Sequence, residues 1–265
     1  ILYIKQTYFV YMSKRHLSTI FTNFAIILVL GILFVSTIYG TTEVATVKTN
    51  DAVYSGNKDS DKLSLMINVY WGTEYIEKIM DVFDEYGFKT TFFVGGKWVE
   101  QNGELLKKMY DRGFEIANHG YLHRDASSIN EEQNRQEIII TEKLIKTIIG
   151  YKTKLFAPPS GDLSDAMFKV AKAEGYKVIM WTRDTIDWRD KNADLVYERA
   201  IKDAKSGDLV LMHPTAHTLE ALPKILNALK EKNLKVDIVS NVIGSSRRTP
   251  KPNDCHSENL QLLNK

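Results

Sequence analysis

This chain has one cysteine, a small net charge and no glycine-rich phosphate loop, and each of these features excludes a class of protein. The 265 residues contain one cysteine, Cys255, so neither an internal disulfide nor a Cys-x-x-Cys redox motif can form. The formal net charge is only +2, and no basic stripe with interleaved aromatic residues indicates a nucleic-acid partner. No Gly-x-Gly-x-x-Gly follows the first predicted strand, which argues against a dinucleotide-binding domain.

Charged residues are also absent from one stretch near the N-terminus, residues 17–42. Lys14 and Arg15 precede this stretch, and its centre is almost wholly apolar. About 20 such residues span a bilayer, and basic flanking residues stay on the cytoplasmic side. We therefore expect residues 12–42 to form an uncleaved membrane anchor that leaves the rest of the chain outside the cell. Cleavage as a signal peptide, which would release a secreted domain, is the alternative.

Composition sets the remaining boundaries. We expect residues 1–11, which precede Met12, to be an upstream artefact. Residues 43–61 are small and polar and are typical of a linker. Residues 245–265 form a polar tail. The one folded domain is therefore expected at residues 62–244.

Short β-type runs alternate with amphipathic helical runs throughout this domain. Repeated strand–helix order predicts an α/β fold with parallel strands and helices outside. Seven strands in so short a domain favour a distorted (β/α) barrel, and an open doubly wound sheet is the alternative. The predicted strands are 63–69, 89–96, 114–118, 154–157, 177–181, 208–212 and 235–240. The predicted helices are 73–87, 104–112, 131–149, 163–175, 193–205 and 217–232.

Polar or constrained residues follow five of the predicted strands, where a βα barrel places its active site. His119 and His123 are four residues apart, a spacing that on a helical turn would let both imidazoles share a metal. His213 is a candidate general acid, because imidazole titrates near neutral pH. Asp184 or Asp187 is a candidate for orienting it.

The order of these segments resembles the polysaccharide deacetylase family, also called the NodB-homology domain. That family carries TFDDGP, HxxxH, RxPxG, a D…DW segment and LxLxH in this order. The matching segments here are MINVYWG (66–72), NHGYLH (118–123), FAPPSG (156–161), WTRDTIDW (181–188) and LVLMH (209–213).

The resemblance implies a divalent metal, usually zinc, and hydrolysis of N-acetyl groups on polymers of GlcNAc or MurNAc. It assigns His119 and His123 to the metal. We expect Tyr121, Pro159 and Trp188 near a polysaccharide substrate, with Trp188 either a sugar-stacking wall or a core residue. No nucleic-acid partner is expected.

Two of the motifs depart from the family. We align the two motif aspartates, a general base and a metal ligand, with Asn68 and Val69, and the third-motif arginine with Ala157. An amide does not take a proton at neutral pH and valine does not bind a metal. We favour slow deacetylation with a weakly held metal, in which Asn68 contributes to catalysis. A glycan-binding protein without turnover is the alternative.

Overall fold

The computed structural model describes residues 14–39 and 52–244, which fall into two separate units. In the first unit, helix α1 spans Lys14–Tyr39, and its described apolar side chains, such as Phe21 and Phe24, are exposed. Among the described residues, we find no helix that is both long and apolar enough to cross a membrane. The predicted artefact, the polar tail and residues 43–51 of the predicted linker lie outside the described residues.

The second unit is built on one sheet in which every described strand pair is parallel. Its order is β1-β6-β5-β4-β3-β2-β8-β7, and β9 also pairs with β2. The edge strands β1 and β7 do not pair with each other within the described part, so the sheet is an open half-barrel. The strands are β1 Ala52–Val53, β2 Lys62–Val69, β3 Thr91–Val94, β4 Glu115–Asn118, β5 Leu155–Phe156, β6 Lys177–Ile179, β7 Arg183–Asp184, β8 Leu209–Met212 and β9 Lys235–Val236.

Helices connect the strands on the outside of this sheet. Local signals fix their ends: Asn130 and Gln133 form a reciprocal capping box at the start of α5, and Gly150 ends that helix in the left-handed conformation. The helices are α2 Thr73–Glu85, α3 Gly96–Gln101, α4 Gly103–Asp111, α5 Glu131–Ile149, α6 Asp165–Ala173, α7 Asp187–Asp190, α8 Ala193–Ile201, α9 Ala216–Glu231 and α10 Val239–Val242.

Strand β2 shows how the sheet separates core from site. Successive side chains on a strand point to opposite faces. Ile67 and Val69 are fully buried in the main apolar cluster, together with residues of α2 and α9. Met66 lies in a second cluster inside the half-barrel, and Asn68 follows it on that inner face. The inner face therefore opens at Asn68 into the candidate site.

The parallel α/β architecture predicted from the strand–helix alternation is confirmed. The linker prediction is wrong in its second half, because Ala52–Val53 pairs with β6 and Gly56 donates a backbone hydrogen bond to Gly207. A Cβ at Gly56 would lie 2.2 Å from the carbonyl oxygen of Val242, so this turn is packed tightly against the domain. Strand β7 was also not predicted.

Candidate functional site

A cavity of about 600 Å³ lies at the carboxyl ends of β2, β4, β7 and β8. Side chains at these ends meet because parallel strands all end at one edge of the sheet. The pocket brings together six of the predicted site residues with aromatic side chains that were not assigned to it. Its lining is Asn68, Tyr70, Trp71, His119, His123, Ser160, Gly161, Trp181, Asp184, Trp188, Leu211 and His213.

His119 and His123 meet in the pocket, but not on a helical turn as predicted. Residues 119–125 form a loop in which Gly120 and His123 both have positive φ. The two rings lie edge to face, with centroids 5.1 Å apart. His119 is buried, and its Nδ1 lies 2.8 Å from the carbonyl oxygen of Ala157. Burial, together with the neighbouring His123, lowers the pKa of His119 to about 3, so its ring is neutral at physiological pH.

Glu137 on α5 holds this loop. Its side chain is buried, and one carboxylate oxygen accepts the backbone N–H groups of Tyr121 and Leu122 at 2.7 and 2.9 Å. The other oxygen accepts from Nε of Arg124 at 2.6 Å. The three bonds satisfy a buried charge and fix the chain between the two histidines. Sequence reasoning missed Glu137, because nothing in a helical glutamate indicates that it faces a loop.

The orienting residue of His213 is Asp187, whereas Asp184 has another role. Asp187 is buried, and its carboxylate accepts from Nδ1 of His213 at 2.8 Å and from the backbone N–H of His213 at 2.6 Å. The hydroxyl of Thr218, in the first turn of α9, donates to the same carboxylate. Asp184 is half-buried and accepts from the backbone N–H of Ile186. The sequence left both aspartates as candidates, and in the structure Asp187 is the one that contacts His213.

The first motif requires a correction. Val69 is fully buried in the main core, so it does not occupy a metal-ligand position. The side chains that reach the pocket from this segment are those of Asn68, Tyr70 and Trp71. Gly72 has φ 77°, and a Cβ there would lie 2.0 Å from the Pro214 carbonyl oxygen, so this turn requires glycine.

Matching Gly72 to the glycine of TFDDGP moves the alignment by two residues and puts Tyr70 and Trp71 in the aspartate positions. The ring of Tyr70 lies 5.0 Å from that of His123. The ring of Trp71 stacks on His213 at 5.9 Å with an angle of 7° between their planes. The motif glycine was the sequence signal that would have identified both residues.

The residues predicted to contact substrate fall into two groups. Trp188 lines the pocket, with half of its surface exposed, so the wall interpretation is favoured over the core one. Pro159 is buried, and the Tyr121 hydroxyl donates to Glu100; neither is among the lining residues. Trp181 also lines the pocket.

The donor set does not match the expected zinc site. A catalytic zinc site in proteins has three protein ligands. Within the described residues, no group of three or more His, Cys, Asp or Glu side chains is placed to hold a metal. His119 and His123 supply two imidazoles. The lining also contains the amide oxygen of Asn68, which is buried without a hydrogen-bond partner among the described residues, and the carboxylate of Asp184, which accepts from the N–H of Ile186. No chemical step is therefore assigned to a metal.

Comparison with known proteins places this geometry in context. A family model described as polysaccharide deacetylase matches residues 55–179. A peptidoglycan-N-acetylglucosamine deacetylase of Bacillus cereus is 33% identical over 175 residues, which are 64% of this chain and 82% of that protein. An uncharacterized protein of Bacillus subtilis, YlxY, is 35% identical over 74% of this chain, and the match spans 62% of the length of YlxY.

Solved structures give the same picture. The crystal structure of a CE4 family pseudoenzyme from Bacillus anthracis is similar with a TM-score of 0.70 and 34% identity, over 72% of this chain and 68% of that one. A mutant of the same pseudoenzyme, similar with a TM-score of 0.70 and 33% identity over 72% of this chain and 71% of that one, is described as having restored enzymatic activity.

Proposed function

The chain belongs to the polysaccharide deacetylase family, and on that premise we propose that its domain binds cell-wall polysaccharide built from amino sugars without removing their acetyl groups. One observation carries the proposal: both first-motif aspartate positions hold aromatic rings, and the ring of Trp71 is stacked against His213 with the ring centroids 5.9 Å apart. A ring stacked on the candidate acid, with no carboxylate at the position of the general base, leaves a binding pocket without an acid–base pair.

The exposed aromatic rings support binding of a sugar. Trp71 and Trp188 both line the pocket, and each leaves about half of its surface exposed. Large exposed rings are costly to keep in water and mark interaction sites when they lie together. Flat apolar faces suit the C–H faces of a pyranose ring, while the indole N–H groups are available to its hydroxyls. The likeness to a pseudoenzyme of the same family also supports this proposal.

A second candidate is slow deacetylation, which the sequence analysis favoured. Its support is the bond between Asp187 and Nδ1 of His213, because a histidine held in this way can protonate a leaving amine through Nε2. Against it, Tyr70 and Trp71 supply no proton acceptor comparable with a carboxylate. Asn68 is better described as a pocket-lining amide than as a catalytic group.

The two candidates are separated by measuring acetate release and glycan binding on the same protein. We expect the domain to bind partially deacetylated chitin, which contains both acetylated and free amino sugars, and to release no acetate with or without added zinc. Trp71→Ala should weaken binding at least about tenfold. Leu195→Ala, an exposed apolar side chain on α8, is the matched control and should bind normally. Acetate release that depends on His213 would establish the second candidate instead.

The location of the domain is part of the same proposal. We propose that it faces the cell wall from outside the cytoplasmic membrane, tethered by residues 12–42. The support comes from the sequence, in the uncharged residues 17–42 that follow Lys14 and Arg15, and not from the described helices, none of which is long and apolar enough to cross a membrane. Protease added to intact cells should remove the domain. Protection of the domain in intact cells would reverse the proposed topology.

A further inference from the structure

We infer that the pocket selects amino sugars that carry a free ammonium group over those that carry an N-acetyl group. The inference rests on the proposed glycan binding and specifies its ligand. It follows from which hydrogen-bonding atoms face the pocket, and from the aromatic rings around them.

Two imidazoles are held in the tautomer that presents an acceptor to the pocket. The Nδ1 atom of His119 lies 2.8 Å from the Ala157 carbonyl oxygen, which can only accept, so Nδ1 carries the hydrogen. The same holds for His213, whose Nδ1 meets the carboxylate of Asp187 at 2.8 Å. In a neutral ring this leaves Nε2 unprotonated. Each of the two rings therefore offers an acceptor nitrogen. A ring in the other tautomer would offer an N–H donor instead.

Oxygen acceptors add to these nitrogens. The Oδ1 atom of Asn68 is buried without a partner among the described residues, and a buried acceptor without a partner favours any ligand that supplies a donor. Asp184 contributes a carboxylate to the same lining. Within the described residues, no lysine or arginine lines the pocket. The charge of the lining is thus acidic, although the chain as a whole has a formal net charge of +2.

A free ammonium fits this surface better than an acetamide does. An ammonium brings three donors and a positive charge, whereas an acetamide brings one N–H donor and a carbonyl that itself needs a donor. The hydroxyls of Tyr70 and Ser160 and the indole N–H groups are suited to the sugar hydroxyls. In the pocket of an active deacetylase the acetyl group is the reacting group; here nothing charged is placed to bind its carbonyl.

The aromatic rings act in the same direction. Tyr70, Trp71, Trp181 and Trp188 all line the pocket. A cation over such a ring is attracted to its π face, most strongly for Trp. Trp188 already shows this preference: the Arg189 guanidinium lies 5.9 Å from its ring centroid, while Asp190 balances the charge of that arginine. The remaining rings are available for a cationic ligand.

The test compares two oligosaccharides of equal length, one of glucosamine and one of N-acetylglucosamine. Binding is measured by calorimetry with EDTA present at neutral pH, because acid would protonate Nε2 of an imidazole and remove the acceptor. We expect the glucosamine oligomer to bind at least about tenfold more tightly. Equal or tighter binding of the acetylated oligomer would overturn the inference and leave the proposed function intact. Loss of binding to both oligomers and to partially deacetylated chitin would reject the proposed function itself.

The experiment also includes a binding measurement with zinc in place of EDTA and a variant of Asp184. If glucosamine binds only after zinc replaces EDTA, the acceptors serve a metal and the inference is wrong. Asp184→Asn retains an oxygen for the N–H of Ile186 and removes only the charge. It should weaken glucosamine binding several-fold and leave the acetylated oligomer unaffected, whereas Asp194→Asn on the exposed surface of α8 should change neither. Equal weakening of both oligomers by Asp184→Asn would also reject the inference.

Discussion

The two sides of the pocket differ in how their polar atoms are satisfied. On one side, which we call the retained side, lie His119, His123, Asp187 and His213, the residues that match the family. The carboxylate of Asp187 has three donors, and Nδ1 of each of His119 and His213 has an acceptor. On the retained side, the carboxylate of Asp187 and the Nδ1 atoms of His119 and His213 therefore all have hydrogen-bond partners.

On the other side, which we call the replaced side, lie Asn68, Tyr70, Trp71 and Ala157. Ala157 is buried and Trp71 is half-exposed, and the amide oxygen of Asn68 has no partner among the described residues. Where the family has a carboxylate pair and an arginine, this chain has Tyr70, Trp71 and Ala157, and the amide of Asn68 lies beside them in the lining. The replaced side therefore depends on packing, and its one buried polar atom is unsatisfied.

Under the proposed function, this difference explains why the His and Asp set persists in a pocket that binds glycan without turnover. Asp187 joins the end of β8, through the backbone and ring of His213, to the start of α9 through Thr218. Its removal would harm the fold whether or not the protein turns over substrate. Retention of the His and Asp set is therefore not by itself a measure of activity, and slow hydrolysis stays a prediction that the acetate assay tests.

The comparison is tested most strongly by rebuilding the replaced side. The triple variant Tyr70→Asp, Trp71→Asp, Ala157→Arg restores a base, a third metal ligand and the charge that tethers the base. We expect zinc to bind more tightly than in the wild type, and acetate release from acetylated oligosaccharide to rise at least ~10²-fold, the usual contribution of an acid–base group. Zinc titration and an acetate assay measure the two effects.

The corrected alignment of the first motif is tested at position 69, with a single variant that serves as the control for the triple variant. Val69→Asp places a carboxylate in the fully buried core and should destabilise the domain by about 4 kcal/mol without adding zinc affinity. Urea unfolding and the same zinc titration are the measurements. A folded Val69→Asp protein that gains zinc would show that the original alignment, and not the corrected one, is right.

On the retained side, Asp187→Ala should have the largest effect on stability. It leaves the ring and backbone N–H of His213 and the Thr218 hydroxyl without their acceptor, at a cost of about 3 kcal/mol. Asp184→Ala is the matched control and should cost under about 1 kcal/mol, because Asp184 accepts one backbone bond at a half-buried position. Similar unfolding midpoints for the two variants would contradict the network described here.

The loop of the retained side is tested through Glu137. Glu137→Gln keeps one acceptor oxygen but loses the charge that pairs with Arg124, and should destabilise the domain by about 1–2 kcal/mol and weaken glycan binding. Glu142→Gln, also buried on α5 but bonded to Tyr176 and Lys152, is the control and should leave binding unchanged. If both variants bind glycan normally, the loop does not depend on Glu137.

Features with local causes could be predicted from sequence, and features with non-local causes could not. Helix α5 was predicted at its observed bounds because Asn130 and Gly150 act on neighbouring residues. Strand β7 has two residues and exists only because it pairs with β8, so nothing in its own sequence indicates a strand. The prediction of a helical turn at His119 came from spacing alone, although Gly120 indicated a turn.

The same distinction holds inside the site. Strand ends located the pocket, because the carboxyl ends of parallel strands meet whatever the details of their contacts. Which of Asp184 and Asp187 reaches His213 depends on the left-handed turn at Ile186, and this turn has no clear signal in the sequence. The two-residue slip in the motif alignment mattered because Val69, the last residue of β2, packs in the core, whereas Trp71 lies beyond the end of the strand and lines the pocket.

The smallest effect on stability is expected at Asn68, and its sign is informative. Asn68→Leu replaces a buried amide, whose oxygen has no partner among the described residues, by an apolar side chain of similar size. The desolvation cost of that oxygen disappears, so the free energy of unfolding should stay within about 1 kcal/mol of wild type or rise. Urea unfolding measures this change.

Asn118, a buried asparagine at the end of β4, is the residue with which Asn68 is compared. Its amide donates to the carbonyl oxygen of Ile138 and accepts from the N–H of Gly120, so Asn118→Leu should cost about 2–3 kcal/mol. Asn68→Leu should also weaken binding of the glucosamine oligomer, because it removes an acceptor that a ligand would use. A substitution that raises stability and lowers affinity is expected where a buried side chain serves ligand binding and not the fold. A loss of stability at Asn68 as large as that at Asn118 would mean that its oxygen has a structural partner, and the contrast between the two sides of the pocket would then disappear.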